Sequence, residues 1–262
     1  MTKNLIEKPF FVKLPDRGLI HLEGEDRHTF LQNLISNDIR ALKNNPLYTC
    51  ILSAQGKFLF DGFVREGNDF TLIECEGGAR AQRLFKHLNL YKLRSKVRLS
   101  VEENTSVYSI LSPAPTDPIN ADPRHPAMGA RVFEKPAGLE EKDFSAWDTH
   151  RIHLNIPDGS RDMIVDKDVP LDCNIDKING VSFDKGCYIG QEITSRMQLR
   201  GLVKKHLRVV EWKNGPVPEP FTDIHVNGEL IGQMRSHCGN TGLMMIRDDA
   251  LPISPDAPFT VI

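Results

Sequence analysis

Between residues 48 and 75 the chain runs through three strand-length stretches with very little between them. Residues 48–52 and 57–65 are joined through Ala54-Gln55-Gly56, and Gly67-Asn68-Asp69 turns the second stretch into residues 70–75. Connections this short join antiparallel neighbours, because a parallel pair needs a crossover of a dozen or more residues. A repeating βαβ architecture is therefore excluded here. Helical patterns flank the hairpins. Gly24-Glu25-Asp26 offers a helix start, with Phe30, Leu31, Leu34 and Ile35 following at helical spacing. Ala81, Leu84, Phe85 and Leu88 make a second stripe, and Phe144, Trp147, Arg151 and Ile152 a third. Hairpins mixed with helices predict an α+β fold.

The remaining elements follow the same grammar. Residues 18–22 alternate weakly and read as a strand, as do 97–101 and 107–111. Residues 112–128 hold five prolines and read as a loop or linker, and 156–182 look irregular. After Gly201 the character changes. Leu202, Leu207, Val209 and Trp212 suggest a strand. Asn227-Gly228 between residues 224–226 and 230–234 is a strong hairpin signal with a type I′ turn. Short strands at 243–246 and 259–262 complete a pattern that suggests a small C-terminal β-barrel. The expected organisation is a body at residues 1–200 and a β unit at 201–262.

Composition excludes several classes. With 40% hydrophobic and 26% charged residues and a formal net charge of −2, the 262-residue chain gives no case for polyanion binding by bulk charge. The basic run Arg196, Arg200, Lys204, Lys205, His206 and Arg208 has no interleaved aromatics to stack bases, so nucleic acid is not an expected partner. The five cysteines, Cys50, Cys75, Cys173, Cys187 and Cys238, are odd in number and widely spaced, which argues against a disulfide framework or a compact zinc site. His206, His225, His237 and Cys238 match no compact ligand spacing, and no metal is expected. Residues 1–11 lack the apolar core of a signal peptide, and no stretch approaches the roughly 20 apolar residues of a membrane span. The expected location is the cytoplasm, away from membranes.

The stretch richest in chemistry is Lys185-Gly186-Cys187-Tyr188-Ile189-Gly190-Gln191-Glu192. Gln191 opens a helical pattern. Lys185 and the coming helix amides would both favour a thiolate at Cys187, the form that attacks electrophiles or binds metal. Gly186 and Gly190 allow a tight turn. Glu192 and Arg196 are four apart and can pair on one helix face.

This run resembles the signature of the YgfZ-type folate-binding proteins, which assist iron–sulfur cluster assembly and belong to the superfamily of the glycine-cleavage T-protein, an aminomethyltransferase. Other stretches also resemble that family. They are Arg17-Gly18-Leu19-Ile20, Phe30-Leu31-Gln32, Leu52-Ser53-Ala54-Gln55-Gly56-Lys57, and Pro170-Leu171-Asp172-Cys173-Asn174-Ile175 leading to Asn179-Gly180-Val181-Ser182-Phe183. The resemblance implies an aminomethyltransferase-like body, a small C-terminal barrel, tetrahydrofolate as cofactor, and iron–sulfur assembly machinery or client proteins as partners. It implies Cys187 as the reactive residue near the rim of a folate cavity. The candidates for cofactor contact are Asp61, Trp147, Arg151, Lys185, Gly186, Tyr188, Gly190, Gln191, Glu192 and Arg196. By resemblance Asp61 occupies the place of the T-protein acid that acts near the folate nitrogen; its plainer reading is a strand-closing residue beside Gly62. Trp147 and Arg151 could hold a pterin ring and an anionic tail, or serve as core and edge. The rival function is one-carbon transfer to tetrahydrofolate. The chain lacks the doubled-Gly and doubled-Asp form of the T-protein stretch, and the T-protein lacks the Cys-centred motif in this form.

Overall fold

The computed structural model describes residues 6–42, 45–113 and 120–262, so the first residues of the chain and most of the Pro-rich loop's first half lie outside it. A long strand, β1 (Phe10–Glu23), organises the body. It pairs antiparallel with β5 (Arg98–Leu111) along nearly its whole length, and over Arg17–Glu23 it also pairs with β4 (Phe70–Glu76). Beyond β4 come β3 (Phe58–Glu66) and β2 (Leu47–Leu52), and beyond β5 comes β6 (Ala130–Val132), giving the order β2-β3-β4-β1-β5-β6. The two-residue β7 (Glu140–Glu141) pairs in parallel with Phe10–Phe11.

The sheet feeds two cores by the period-2 rule. In β2, Tyr48, Cys50 and Leu52 enter one core while Leu47 and Ile51 enter the other, so every residue of that strand is buried. On one face lie α1 (Arg27–Gln32) and α2 (Ala79–Lys92), the latter burying Ala81, Leu84 and Leu88. On the other lies α3 (Phe144–His153), which contributes Trp147 and Ile152.

β1 starts eight residues before the stretch expected from alternation, because Pro15 interrupts the pattern. The fold accommodates it by a register shift between Leu14 and Arg17, with Asp16 at φ 48°. Pro is tolerated at such a bulge, where its missing N–H is not asked for. Over residues 12–15, β1 has β5 on one side, while β7 ends before this stretch and β4, with Gly77 N donating to Asp16 O at 2.6 Å, closes the edge after it. This open stretch of strand edge positions the cavity described below.

The described part of the Pro-rich loop is packed, unlike a solvated linker. Arg124 and Asp122 form a buried pair at 2.8 Å, and the Arg124 guanidinium lies 4.9 Å from the Phe63 ring centroid.

After α4 (Gln191–Arg200) and the left-handed Gly201, the chain forms a second antiparallel sheet. Its strands β8 (Lys205–Trp212), β9 (Asp223–Val226), β10 (Glu229–Cys238), β11 (Thr241–Arg247) and β12 (Phe259–Val261) lie in the order β12-β8-β11-β10-β9. Asn227 and Gly228 both take positive φ, 53° and 84°, as the expected type I′ hairpin demands. Val210, Trp212, Met244 and Ile246 pack in the sheet's own core, while Leu207, Val209, Leu243 and Met245 join the core of the body.

Candidate functional site

The open edge of β1 forms one wall of a cavity of about 350 Å³. Leu14 and Pro15 supply apolar surface there, and Phe144 and Trp147 of α3 also line it. The two rings are tilted against each other at 5.4 Å. Trp147 is buried, and its Nε1–H has no hydrogen-bond partner among the described residues. A buried unpaired donor carries a desolvation cost of about 1–3 kcal/mol.

Charged groups complete the lining. Arg80 donates through Nε to Glu76 at 2.9 Å, and Ser160 Oγ donates to the same carboxylate at 2.8 Å. Arg161 spans Asp148 and Asp158 at 2.9 and 2.8 Å. Burial would raise the Asp158 carboxyl, but Arg151, Arg161 and Arg17 outweigh it and hold it far below the usual range. Behind the wall, burial likewise opposes ionisation of Glu74, and Arg131 and Arg17 overcome it, leaving that carboxyl at about 2.

Asp61 sits beneath this floor and is not among the lining residues. Tyr48 donates to its Oδ2 at 3.0 Å. Gly159, at φ 47°, covers it: a Cβ there would stand 3.1 Å from Asp61 Oδ1 and 1.9 Å from Glu76 Oε1. Burial, reinforced by Glu76 and partly offset by Arg17, lifts the Asp61 carboxyl to about 6.

Arg151 corrects one expectation. Its guanidinium is fully buried and donates to Asp148 at 2.7 Å, Ile156 O at 3.0 Å, Asp162 at 2.6 Å and Ser236 Oγ at 2.6 Å. With its donors consumed, it ties α3 to the C-terminal sheet and has none left for a ligand's anionic tail.

The Cys-centred motif lies apart from the cavity, none of its residues lining it. Cys187 is exposed, whereas Cys50, Cys75 and Cys173 are buried and Cys238 is half-buried. Burial pushes the Cys50 and Cys173 thiols well up and carries Cys75 to about 12. Gly186 is open on the side where a Cβ would lie. Lys185 departs from its expected role as a charge beside the thiol. Its buried ammonium donates to the carbonyls of Gln32, Ile35 and Asn37 at 2.7, 2.7 and 2.8 Å. Burial lowers it to about 8, and Asp38 offsets part of that effect. Tyr188 is also buried, its ring centroid 4.7 Å from that ammonium. Gly190, at φ 85°, caps α4, and a Cβ there would lie 2.6 Å from Ser53 O. The hairpin at residues 53–57 is thus pressed against the motif, with Gly56 against Ile193. Gln191 begins α4, and Glu192 and Arg196 form an exposed ion pair on it, the plainer of their two readings.

The expected site therefore divides into a cavity with Trp147 and, beneath it, Asp61, and a surface thiol platform. Glu76, Arg80, Asp158, Ser160 and Arg161 at the cavity went unread in the sequence, and Arg17 was noted only within the stretch Arg17-Gly18-Leu19-Ile20. The basic run is largely paired: Arg196 with Glu192, Lys205 near Asp168 and Asp172, His206 and Arg208 with Asp248. No helix among the described residues is long and apolar enough to cross a membrane.

No family model matches the sequence. It is similar to "Iron-sulfur cluster assembly factor IBA57 homolog, mitochondrial" of Neurospora crassa, with 35% identity over 241 residues, 79% of this chain and 55% of that one. It is 30% identical over 273 residues to "Iron-sulfur cluster assembly factor IBA57, mitochondrial" of Homo sapiens, covering 89% of this chain and 76% of the human one. The chain spans little more than half of the Neurospora protein and 62% of the Mycosarcoma maydis relative. Among solved structures, the glycine cleavage system aminomethyltransferase T from Bartonella henselae matches with a TM-score of 0.66 and 13% identity, over 93% of this chain and 80% of that chain. The architecture is thus aminomethyltransferase-like. The cytoplasmic location expected from composition is overturned, because these relatives are named as mitochondrial. At 30% identity to a human relative of which it spans three quarters, the chain belongs to the IBA57 family of iron–sulfur cluster assembly factors.

Proposed function

We propose that this protein is a mitochondrial, tetrahydrofolate-binding factor, related to the YgfZ-type proteins, that supports assembly or repair of iron–sulfur proteins through Cys187. In this reading residues 1–200 are the folate-binding body and 201–262 the unit packed against it. The observation that carries the reading is the cavity at the open edge of β1. Its aromatic wall suits a flat heteroaromatic head, and Arg161, whose side chain stays 40% exposed beside Asp148, suits an anionic tail. Tetrahydrofolate would supply a reduced pterin able to carry a one-carbon unit. The protein's own residues would orient it: Trp147 by stacking, Arg161 by charge. Cys187 stands outside, where an assembly partner can reach it.

The test is a tetrahydrofolate titration of wild type and Cys187→Ser, read by thermal melting and by activity of cluster-dependent enzymes in cells lacking the natural copy. Both proteins should bind one equivalent and gain about 2.7 kcal/mol of stability at a hundredfold excess over Kd. Only wild type should restore cluster enzymes, since a hydroxyl is a poor ligand for soft metals and a poor nucleophile without an adjacent base. A flat melting temperature up to millimolar folate would remove folate from the account, and full complementation by the Ser variant would make the thiol structural.

One-carbon transfer to tetrahydrofolate is the second reading. It draws on Asp61, a carboxyl lifted to about 6 and so able to exchange a proton near neutrality. Single-turnover methylene transfer by wild type and not by Asp61→Asn would establish it.

A further inference from the structure

A second concavity, of about 330 Å³, opens where the end of α3 meets β8, well separated in its lining residues from the cavity beside Trp147. Its size is at the low end of ligand pockets, about 300–1,000 Å³. His125, His153, Lys177, His206 and Arg208 line it, and no acidic side chain does. Its floor is a fixed polar frame. Asn155 and Asn174 both direct their side-chain amides at Leu207 O, at 3.0 and 2.7 Å, and Lys177 Nζ donates to Asn174 Oδ1 at 3.0 Å.

Two groups in this frame are left over. Arg208 donates through Nη2 to Asp248 at 2.9 Å, but its Nε–H is buried with no partner among the described residues. Asn155 must present its NH₂ to Leu207 O, which leaves its buried Oδ1 as an acceptor without a donor among the described residues. Asp248 neutralises Arg208 in part and also holds His206 Nδ1 at 2.9 Å, whereas Lys177 has no carboxylate partner among the described residues. An occupant that satisfies the frame must offer an acceptor to Arg208 and a donor to Asn155 and must carry negative charge. A carboxylate offers acceptors alone. A hydrogen phosphate, or a phosphomonoester bearing a sugar hydroxyl, offers both.

We infer that the cleft between α3 and β8 is a binding site for a phosphate group, held by Lys177 and Arg208 and oriented by Asn155. Two sources share this chemistry, inorganic phosphate and a nucleotide-sized phosphomonoester, and AMP serves as the probe for the second. The site stands apart from the folate reading and does not depend on it.

The experiment is calorimetric titration of the full chain with inorganic phosphate and with AMP at low ionic strength, on wild type, Lys177→Ala, Arg208→Gln and Arg161→Gln. Lys177 is exposed, so its truncation should leave melting unchanged and keep the test independent of folding. Saturable binding should weaken roughly tenfold or more in Lys177→Ala and Arg208→Gln and stay at the wild-type level in Arg161→Gln. Tighter binding of AMP than of phosphate identifies a phosphomonoester; equal affinity identifies phosphate itself. The inference fails if neither probe saturates below about 10 mM, an affinity under the millimolar mark of about −4.1 kcal/mol. It fails equally if affinity is unchanged in Lys177→Ala, or if it falls only in Arg161→Gln, which would put the anion in the cavity beside Trp147.

Discussion

Single residues decide the chemistry available at the two places that matter. Cys187 is the one exposed thiol among five, and burial raises Cys50, Cys75 and Cys173, so thiolate chemistry is discouraged everywhere else it can be judged from burial. Competitive alkylation at neutral pH should modify Cys187 first; earlier labelling of Cys238 would move the reactive centre to the C-terminal sheet. Asp61 offers a sharper reading. Its carboxyl rises from the ordinary 3.8 to about 6, so over that window the unfolded chain ionises before the folded one does. Folding is unpenalised by Asp61 at pH 3 and carries the full cost above pH 6. Asp61→Asn should therefore stabilise the protein by about 3 kcal/mol at pH 7.5 and not at pH 3.5. Equal melting at both pH values would mean that the carboxyl is ionised without strain. The sequence made Asp61 visible through its Gly-rich neighbourhood. It could not reveal that the backbone at Gly159, nearly a hundred positions later, covers the carboxyl, because that contact belongs to the tertiary fold.

At the scale of elements, the motif is a clasp. Lys185 reaches back about 150 positions to carbonyls at and just after the end of α1, and Gly190 admits the hairpin at 53–57. Lys185→Met keeps the length and removes three donors from buried acceptors, which should cost about 2–4 kcal/mol. Amide exchange at residues 185–190 should speed up more than at α2, because the loss is local to the clasp. Exchange unchanged at the motif would mean that Tyr188 and Gly190 hold it without the lysine. Local sequence could not distinguish this pin from a charge placed beside a thiol, since both put Lys two residues before Cys. Elements with strong periodicity were legible: α2, α4, the β2-β3-β4 meander and the Asn227-Gly228 hairpin all lie near their expected places. β1 was legible only in its second half. Pro15 breaks the alternation, and the strand survives it because Pro15 falls in the gap between β7 and β4, before Gly77 N donates to Asp16 O at 2.6 Å. The feature that hid the strand is the one that opens the cavity.

The whole molecule is bound together more tightly than a division near residue 200 would suggest. β8 and β11 turn one face to their own core and give Leu207, Val209, Leu243 and Met245 to the core of the body. Polar groups reinforce that seam. Ser236 N donates to Asp162 at 2.9 Å, Arg235 reaches Asp168 at 2.9 Å, and Leu207 N meets Asp172 O at 2.9 Å. Asp162, Asp168 and Arg151 are all buried, so removing the C-terminal sheet would leave two carboxylates and a guanidinium short of partners beside a bare apolar surface. Stripping one partner from a buried pair costs about 3–5 kcal/mol, and whole domains are stable by only about 5–15 kcal/mol. Residues 1–200 expressed alone should therefore lack a cooperative melt and bind a dye that reports exposed apolar surface, while the full chain should unfold in a single calorimetric transition. Two separated transitions in the full chain, or a cooperative melt of the fragment, would show that the body folds by itself. In that case the link from α3 through Arg151 to Ser236 would join two finished domains; with one shared transition, the same link makes the C-terminal sheet part of the wall that holds α3, and with it Trp147, against the cavity.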